Sequence, residues 1–379
     1  MTIAVTERCT VVESVTAFDT KDWNNCFPRE LENWHYYRAV EEAGIAGFAY
    51  RYFAVIENNL LRAVVPAFMT TYRLDTTVQG TVKRLTSSLA RHFPKLLSIR
   101  LLCLGSPVSE ICHVGFAPDV TDSEKPVLLA MLVDRVKRYA QEQGVGLLAV
   151  KDARDDGARL WQPAIAGFSK MSGLPTAVLA LPFRSFDDYL KSLSSATRKD
   201  MRRKLRSESA IRVETRQSID DVKDRIQALY EATEARSDLQ FERLPADYFS
   251  RVLARMPDNA RCILYWANDD LLAFNLILES SERMIDKFIG TGEQARRYNL
   301  YFLSWMENVR RCIAKGIPVY QSGQAGYAVK VRLGSRLMLN WNYFLHLNPL
   351  LNLLLRLVAR IVRLDRFDPE IRLAIDGQK

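Results

Sequence analysis

The sequence predicts an α/β fold built from two similar halves, each with its own mixed sheet. Each half contains a β-hairpin with a polar turn, at residues 57–59 in the first half and 268–270 in the second. In each half an amphipathic helix ends at a glycine, Gly144 or Gly316, and leads into a short apolar strand. A chain of 379 residues also exceeds one typical domain, so we expect two.

The first half begins with a helix over residues 29–42, where apolar side chains recur at helical spacing. The strands of its hairpin follow at 50–56 and 60–71. Helices and strands then alternate over residues 82–97, 99–104, 123–144 and 146–150. Ser123 is the predicted N-cap of the longest helix in this half. We assign residues 1–165 to an N-terminal domain.

The second half is assigned to residues 166–347. It contains a basic helix at 196–207, the hairpin strands at 261–266 and 271–279, and a strand at 284–289. A helix at 300–315 leads into segment 317–339, and a last apolar strand follows at 340–347. Residues 348–379 are predicted to form an amphipathic C-terminal helix and a tail.

Charge and cysteine usage narrow the class of protein. The net charge is +9 and the pI is about 9.2, which favours partners rich in phosphate: a cofactor, RNA or an anionic membrane surface. The six cysteines and four histidines show no metal-binding spacing, so we expect no metal site. We find no signal peptide and no run of about eighteen apolar residues, so we expect a cytoplasmic protein without a transmembrane span.

The segment at residues 317–339, IPVYQSGQAGYAVKVRLGSRLML, is the first place to look for chemistry. It predicts a strand and then a glycine-broken loop that carries Tyr327 and Lys330. In a strand these two side chains point to opposite faces, so they converge only if Gly326 bends the chain. The alternative is a surface loop with a solvated lysine.

Three passages carry a family resemblance. They are FDDYLKSLSSATRKDMRRKLR at residues 186–206, the hairpin at 265–278, and the glycine-broken segment at 315–334. In this order they resemble the Fem-type peptidoglycan aminoacyltransferases and the broader FemAB-like group of the GNAT superfamily. The resemblance covers residues 170–345 well and 30–155 loosely. It implies an acyltransferase with two tandem GNAT-like domains.

The resemblance also implies a reaction. An acyl or aminoacyl group would move from an activated thioester, either acyl-CoA or an acyl-carrier protein, to an amine. One alternative is the aminoacyl-tRNA donor that Fem-type enzymes use. Another is a non-catalytic binding module with a degenerate GNAT fold. In the catalytic cases the donor is a co-substrate, and we expect no tightly bound cofactor.

By the same resemblance, Lys330 is expected to stabilise the oxyanion that forms during transfer. Tyr327 would donate a proton to the leaving group or line the acyl pocket, and Asp286 or Glu279 would accept a proton from the amine. The site would lie where the strands of the second domain splay apart. On this hypothesis Lys330→Ala leaves the fold intact and removes most of the transfer activity.

Phosphate binding is the least regular part of the pattern. GNAT enzymes hold the CoA pyrophosphate on a glycine-rich loop, but the corresponding stretch here, TGEQARRYNL at residues 291–300, has a single glycine. Arg296, Arg297 and the predicted helix cap Asn299 are the candidate residues for binding the phosphates of the donor. This departure leaves a carrier protein or tRNA open as the source of the acyl group.

Two further surfaces are candidates for binding. Arg198 and Arg202 share one face of the basic helix, which is either a track for the phosphates of tRNA, phosphopantetheine or acidic lipid, or simply a solvated face. Residues 348–366 form a leucine-rich helix with a stripe of arginines. That helix either lies on a membrane surface or docks on protein, whether its own chain or a partner subunit.

Overall fold

A computed structural model describes residues 9–73, 98–237 and 241–361 of the chain. These residues form helices and two mixed β-sheets, which confirms the predicted α/β class. The helix predicted at 82–97 and the part of the C-terminal segment beyond residue 361 lie outside the described residues. Across the three described ranges, no helix combines the length and apolar character needed to cross a bilayer.

The secondary-structure elements are numbered in chain order. The strands are β1 (Cys9–Val12), β2 (Phe48–Glu57), β3 (Leu60–Arg73), β4 (Ser98–Leu104), β5 (Gly115–Phe116), β6 (Leu147–Arg154), β7 (Ser169–Ser172), β8 (Thr176–Ala180), β9 (Arg212–Arg216), β10 (Ala260–Ala267), β11 (Asp270–Glu279), β12 (Met284–Thr291), β13 (Val319–Gly323), β14 (Arg336–Met338) and β15 (Asn340–His346). The α-helices are α1 (Thr20–Cys26), α2 (Trp34–Ala43), α3 (Lys125–Glu142), α4 (Ala158–Trp161), α5 (Phe186–Ser192), α6 (Ser195–Lys204), α7 (Lys223–Glu234), α8 (Asp247–Arg255), α9 (Leu300–Lys315), α10 (Tyr327–Arg332) and α11 (Pro349–Ile361).

The first unit is organised by a sheet with the strand order β1-β2-β3-β4-β6-β15-β7, and β5 pairs with β3. Its β2–β3 hairpin turns through Asn58 and Asn59, which both adopt the left-handed conformation that a tight hairpin turn needs. Strands β4 and β6 are parallel, and α3 lies between them in the chain. The apolar face of α3 packs into the core of this sheet, as its helical spacing predicts.

The boundaries of the two units differ from the predicted domains. The second domain was expected to span residues 166–347, but β7 and β15 belong to the first sheet, where β15 lies between β6 and β7. The first unit therefore extends to Leu174 and resumes at Leu339, and it also includes residues 241–243. The pattern of an apolar strand indicates that it is buried, but it does not indicate which sheet the strand joins.

The second unit, from Pro175 to Met338 apart from residues 241–243, repeats the succession of the first. Its strand order is β14-β8-β13-β12-β11-β10-β9. A hairpin, β10–β11, turns at Asn268 in the left-handed conformation, and β12 follows as an antiparallel strand. Helix α9 then leads to β13, which is parallel to β12. The predicted repeat of hairpin, strand, helix and strand is confirmed.

The parallel pair of the second sheet stays together for a short distance only. Met284 pairs with Tyr320 and Ile285 with Gln321, and beyond these positions β12 and β13 no longer pair. On the other side of β12 the register with β11 shifts, because Ile277 pairs with Asp286 and Leu276 with Phe288, which leaves one extra residue as a β-bulge. The irregularity in β12 thus lies next to the position where its pairing with β13 ends, and the two strands part there.

Candidate active site

Asp286 is the first residue of β12 beyond its last pair with β13, at the point where the strands part. Its side chain accepts hydrogen bonds from three interior groups: Asn275 Nδ2 on β11 at 2.5 Å, Tyr320 Oη on β13 at 2.8 Å and Asn308 Nδ2 on α9 at 3.4 Å. These donors are fully buried, whereas the Asp286 residue keeps partial exposure. Three separate elements, β11, β13 and α9, thus hold the carboxylate in place.

The donors also bind one another. Asn308 Nδ2 lies 2.9 Å from Asn275 Oδ1 and 3.0 Å from the Tyr320 hydroxyl oxygen, so its two hydrogens are shared among these acceptors and the more distant Asp286 carboxylate. The Trp305 ring packs edge-on against Tyr320. Asn275 also donates to the carbonyl of Phe288, so it contacts the residues on both sides of the bulge in β12. A network connected in this way gives the carboxylate one orientation.

The environment of Asp286 raises the pKa of its carboxyl above the ordinary value. Removal from water is the main cause, while the hydrogen bonds from Tyr320 and Asn275 and the positive charge of Lys330 act in the opposite direction. Burial and the neighbouring carboxylate raise the pKa of Tyr320, so its hydroxyl stays protonated and donates. A hydrogen-bonded carboxylate with a raised pKa is suited to accept a proton.

The sequence interpretation included Asp286 but missed its three partners. A signal for two of them was present: Asn275 interrupts the apolar run LLAFNLILE, and Asn308 lies on the buried face of an amphipathic helix. A polar side chain in such a position needs a partner, because burial without one is costly. Only the fold shows that both asparagines share a partner, since they come from different elements.

Lys330 and Tyr327 lie in helix α10, not in a strand or an open loop as predicted. Gly326, in the left-handed conformation with φ 64°, starts the helix, so residues 327 and 330 lie on one side of it. Both side chains are buried. The bend at Gly326 that would bring the two residues together is therefore present.

Both side chains donate hydrogen bonds to backbone carbonyls. The Lys330 ammonium donates to the carbonyls of Ser322, Gly323 (3.0 Å) and Gln324 (3.3 Å), and the Tyr327 hydroxyl donates to the carbonyl of Pro175 at 2.9 Å. An ammonium has three N–H donors, and three carbonyls surround this one. In this arrangement Lys330 holds the turn after β13 and adds positive charge near Asp286.

Glu279, the other candidate proton acceptor, is held in ion pairs. It accepts from Arg311 in two hydrogen bonds, at 2.7 and 2.8 Å, and from Lys315 at 2.8 Å. Burial opposes ionisation, but these bonds outweigh it and lower the pKa of the Glu279 carboxyl below its ordinary value. A strongly paired carboxylate is a poor base, so Glu279 instead fastens α9 to the end of β11.

Arg296 and Arg297 are both exposed, in the turn that precedes α9. Asn299 takes the left-handed conformation, and its side chain does not cap the helix. Three N–H groups of this turn, those of Ala295, Arg297 and Asn299, already donate to carbonyl oxygens of residues 292, 294 and 296. They are therefore not available as a pyrophosphate cradle, and a phosphate here would depend on the arginine side chains.

The basic helix α6 is partly neutralised by its neighbours. Arg202 pairs with Asp187, and Asp200 pairs with Arg203, Lys204 and Arg332. Arg198 donates to the carbonyls of Lys191 and Leu193, which anchors α6 to the end of α5. Arg202 and Arg203 nevertheless remain mostly exposed, so the surface still presents positive charge.

A sequence model of the FemAB-like family, described as peptidoglycan biosynthesis/recognition, matches residues 14–356. The chain belongs to the FemAB-like family. Among solved structures, FemX is similar in fold, with 13% identity and a TM-score of 0.60 over 92% of this chain and 100% of that chain. No significant match was found among curated protein sequences.

Two further solved structures resemble this FemAB-like protein in fold. One is the C-terminal domain of a protein named as a lysylphosphatidylglycerol synthetase from Agrobacterium fabrum, with 13% identity and a TM-score of 0.53 over 92% of this chain and 97% of that chain. The other is a tandem GNAT protein from the clavulanic acid biosynthesis pathway, with 11% identity and a TM-score of 0.51 over 90% and 99%.

The family and the fold together confirm the predicted class. This FemAB-like protein is an acyltransferase built from two tandem GNAT domains. Its acyl group comes from a donor that acts as a co-substrate. Of the predicted catalytic residues, the structure brings Lys330 close enough to Asp286 for its charge to act on the carboxyl, and Tyr327 lies one helical turn before Lys330.

The contacts of Lys330 predict a loss of stability on substitution. Lys330→Met removes the donor to three carbonyls near the interior while keeping a long side chain, and we expect unfolding to become about 2–3 kcal/mol easier. Chemical denaturation measures this difference. The control is Arg332→Met on the same helix, whose half-exposed side chain pairs with Asp200 at 3.4 Å, and it should cost at most about 0.5–1 kcal/mol.

Stability and activity together separate the two roles of Lys330. In one outcome, Lys330→Met unfolds at the same denaturant concentration as the wild type and yet has lost transfer activity. That result would contradict a role of Lys330 in holding the three carbonyls and would support its role in stabilising the oxyanion. A variant that unfolds more easily but keeps transfer activity while it is folded would support the role of Lys330 in holding the three carbonyls.

Proposed function

We propose that this protein transfers an acyl or aminoacyl group from an activated thioester or ester to an amine, at the position where β12 and β13 part. The observation that carries the proposal is the Asp286 carboxylate, held by buried donors at that position. Attack by an amine requires a proton acceptor, and an oriented carboxylate can supply it. The site belongs wholly to the second unit.

The hydrogen bonds of Asp286 leave room for one more donor. A carboxylate offers about four lone-pair sites, and three of them are used by Asn275, Tyr320 and Asn308. Oδ2 accepts from two of these groups and Oδ1 from one. The remaining site on Oδ1 would accept an N–H of the incoming amine, directly or through one water molecule.

The reaction would proceed by addition and elimination. The amine nitrogen attacks the carbonyl carbon of the donor, and its proton passes to Asp286 as the tetrahedral intermediate forms. The C–S or C–O bond to the carrier then breaks, and the proton leaves Asp286 for the departing thiol or hydroxyl. Backbone N–H groups along the parted strands would stabilise the oxyanion. Lys330 would support the step by its charge.

Charge and hydrogen bonding near α9 bear on which molecule donates the acyl group. The amides of residues 295, 297 and 299 are committed to the turn itself, which weakens a CoA pyrophosphate grip and favours a second donor class, aminoacyl-tRNA. Exposed cations support the same candidate: Arg202 and Arg203 on α6, and Arg296 and Arg297 before α9. A carrier protein with a phosphopantetheine arm would use the same charges, so the donor must be tested directly.

Helix α11 is the candidate for peripheral membrane contact. Leu350, Leu351, Leu353, Leu354 and Leu357 are all exposed, and at 100° per residue they cover an arc of about 160°. Asn352 and Arg356 face the other way and donate to the carbonyl of Gly167, which anchors the helix to the first unit. An exposed leucine face on a helix that is anchored by its polar side suits the surface of a bilayer, and the positive net charge of the chain favours an anionic one.

The role of Asp286 is tested by a pair of substitutions. Asp286→Asn keeps the shape of the side chain but cannot accept a proton, so we expect kcat/KM to fall by about 10²–10⁴-fold without loss of fold. Tyr320→Phe removes a donor that stabilises the carboxylate, so the pKa of Asp286 should rise. The acidic limb of the kcat/KM profile should then move to higher pH.

The comparison is made with one donor and one acceptor, so that the ionisation of the amine substrate is the same for every variant. Tyr189→Phe is the matched control, because that buried hydroxyl accepts from Trp305 and donates to the carbonyl of Leu333 and does not touch Asp286. An unchanged rate in Asp286→Asn, or a limb that moves equally in both tyrosine variants, would contradict the assignment.

The donor is identified by offering acyl-CoA, acylated carrier protein and a mixture of aminoacyl-tRNAs to the same enzyme. If tRNA is the donor, transfer to the amine should stop after RNase treatment and fall steeply with added salt. If a thioester is the donor, neither treatment should stop it. Absence of transfer from all three donors, with the protein folded, would support the non-catalytic binding module instead.

Membrane contact is tested by co-sedimentation with lipid vesicles. We expect the protein to sediment with phosphatidylglycerol-containing vesicles and much less with phosphatidylcholine alone. The triple variant Leu350→Ser, Leu354→Ser, Leu357→Ser should reduce sedimentation at least tenfold, since each buried leucine contributes about 1.5 kcal/mol or more. Leu60→Ser, an equally exposed leucine in the first hairpin, should have no effect. The wild-type protein could instead form a dimer at high concentration that the same triple variant abolishes. That result would show that the leucine face binds a second copy of the chain.

A further inference from the structure

A second polar cluster lies in the first unit. Glu30 and Glu32 come from the segment between α1 and α2, and His113 comes from the segment between β4 and β5. Glu32 is 4% exposed and His113 6% exposed, so the cluster is inside the protein. One ligand atom from each of the three residues lies within 4.8 Å of the other two. The proposed transferase reaction uses none of them.

The distances in this cluster are those of ligands around a common ion. His113 Nε2 lies 3.4 Å from Glu32 Oε2 and 3.6 Å from Glu30 Oε2. These separations exceed the 2.7–2.9 Å of a charge-assisted hydrogen bond. Ligand atoms about 2.0–2.1 Å from a tetrahedral zinc ion lie about 3.3–3.4 Å from one another, which matches the observed spacing.

The other nitrogen of the imidazole is already oriented. His113 Nδ1 lies 2.8 Å from the hydroxyl oxygen of Tyr37, which is buried. In the tautomer that carries its proton on Nδ1, Nδ1–H donates to Tyr37 and the lone pair of Nε2 points at the two carboxylates; binding of a metal would select this tautomer. Metal-binding histidines usually donate their second N–H in this way, which fixes the tautomer that can bind.

We propose that Glu30, Glu32 and His113 bind one divalent transition-metal ion, with zinc as the best fit, and that water completes its coordination. Imidazole nitrogen and carboxylate oxygen are ligand types that zinc accepts in proteins, so the three side chains present a suitable set of donor atoms. The ion would join two segments that are distant in the sequence, and its role would be structural. Cysteine and histidine spacing did not predict this site, because two of its ligands are glutamates.

The site is tested on the full chain without reference to activity. Protein prepared in chelator-treated buffer is titrated with zinc alone, and bound metal is counted by elemental analysis after gel filtration. We expect one zinc per chain and a melting temperature that rises by several degrees with saturating zinc. His113→Gln and Glu32→Gln should lose the bound metal, whereas His35→Gln, a half-buried histidine on α2, should keep it.

Cobalt substitution tests the geometry without any variant. A tetrahedral cobalt site of this composition should give intense visible absorption bands, and zinc should abolish them by competition. Two results would overturn the proposal. One is wild-type protein that binds no stoichiometric zinc and gives no such bands. The other is zinc that remains bound in both His113→Gln and Glu32→Gln, which would place it elsewhere.

Discussion

The hydrogen-bond network around Asp286 is the interaction on which the arrangement of the second unit depends. It joins β11, β12, β13 and α9 through Asn275, Tyr320 and Asn308 at the one place where the parallel strands stop pairing. Where two strands part, the backbone ladder can no longer fix their geometry. Here side chains replace it, and their hydrogen bonds converge on one carboxylate.

The parting of the strands also explains the turn after β13. That turn has no ladder with β12 to hold it, and its carbonyls converge on the ammonium of Lys330 in α10. Tyr327 anchors the other end of the same helical turn to Pro175. Burying a lysine is costly unless its donors are satisfied, and three carbonyls satisfy them. The positive charge placed there also lowers the cost of ionising Asp286.

The two units use one succession of elements for different ends. Each has a hairpin, an antiparallel strand, a helix and a parallel strand. In the first unit the parallel strands β4 and β6 pair over four positions, and β15 covers the far side of β6. In the second unit the corresponding strands separate after two positions. The second sheet therefore has the shorter parallel pairing, and the Asp286 carboxylate lies where that pairing ends.

Local sequence patterns determined the α/β class, the two hairpins and the helices that end at Gly144 and Gly316. These features follow from spacing, turn residues and helix stops, which act over a few residues. The family resemblance, carried by the order of three passages, correctly indicated tandem GNAT domains and an acyltransferase. It also pointed to Asp286 as one of two candidate bases.

Contacts between distant residues were decided by the tertiary structure alone. The last strand joins the first sheet because register and edge pairing, not hydrophobicity, choose a strand's neighbours. Glu279 forms ion pairs with Arg311 and Lys315. Asp286, a single carboxylate on the neighbouring strand, accepts hydrogen bonds from neutral side chains such as Tyr320 instead. The charge and orientation of a side chain depend on groups brought near it from elsewhere in the chain, and no local pattern records them.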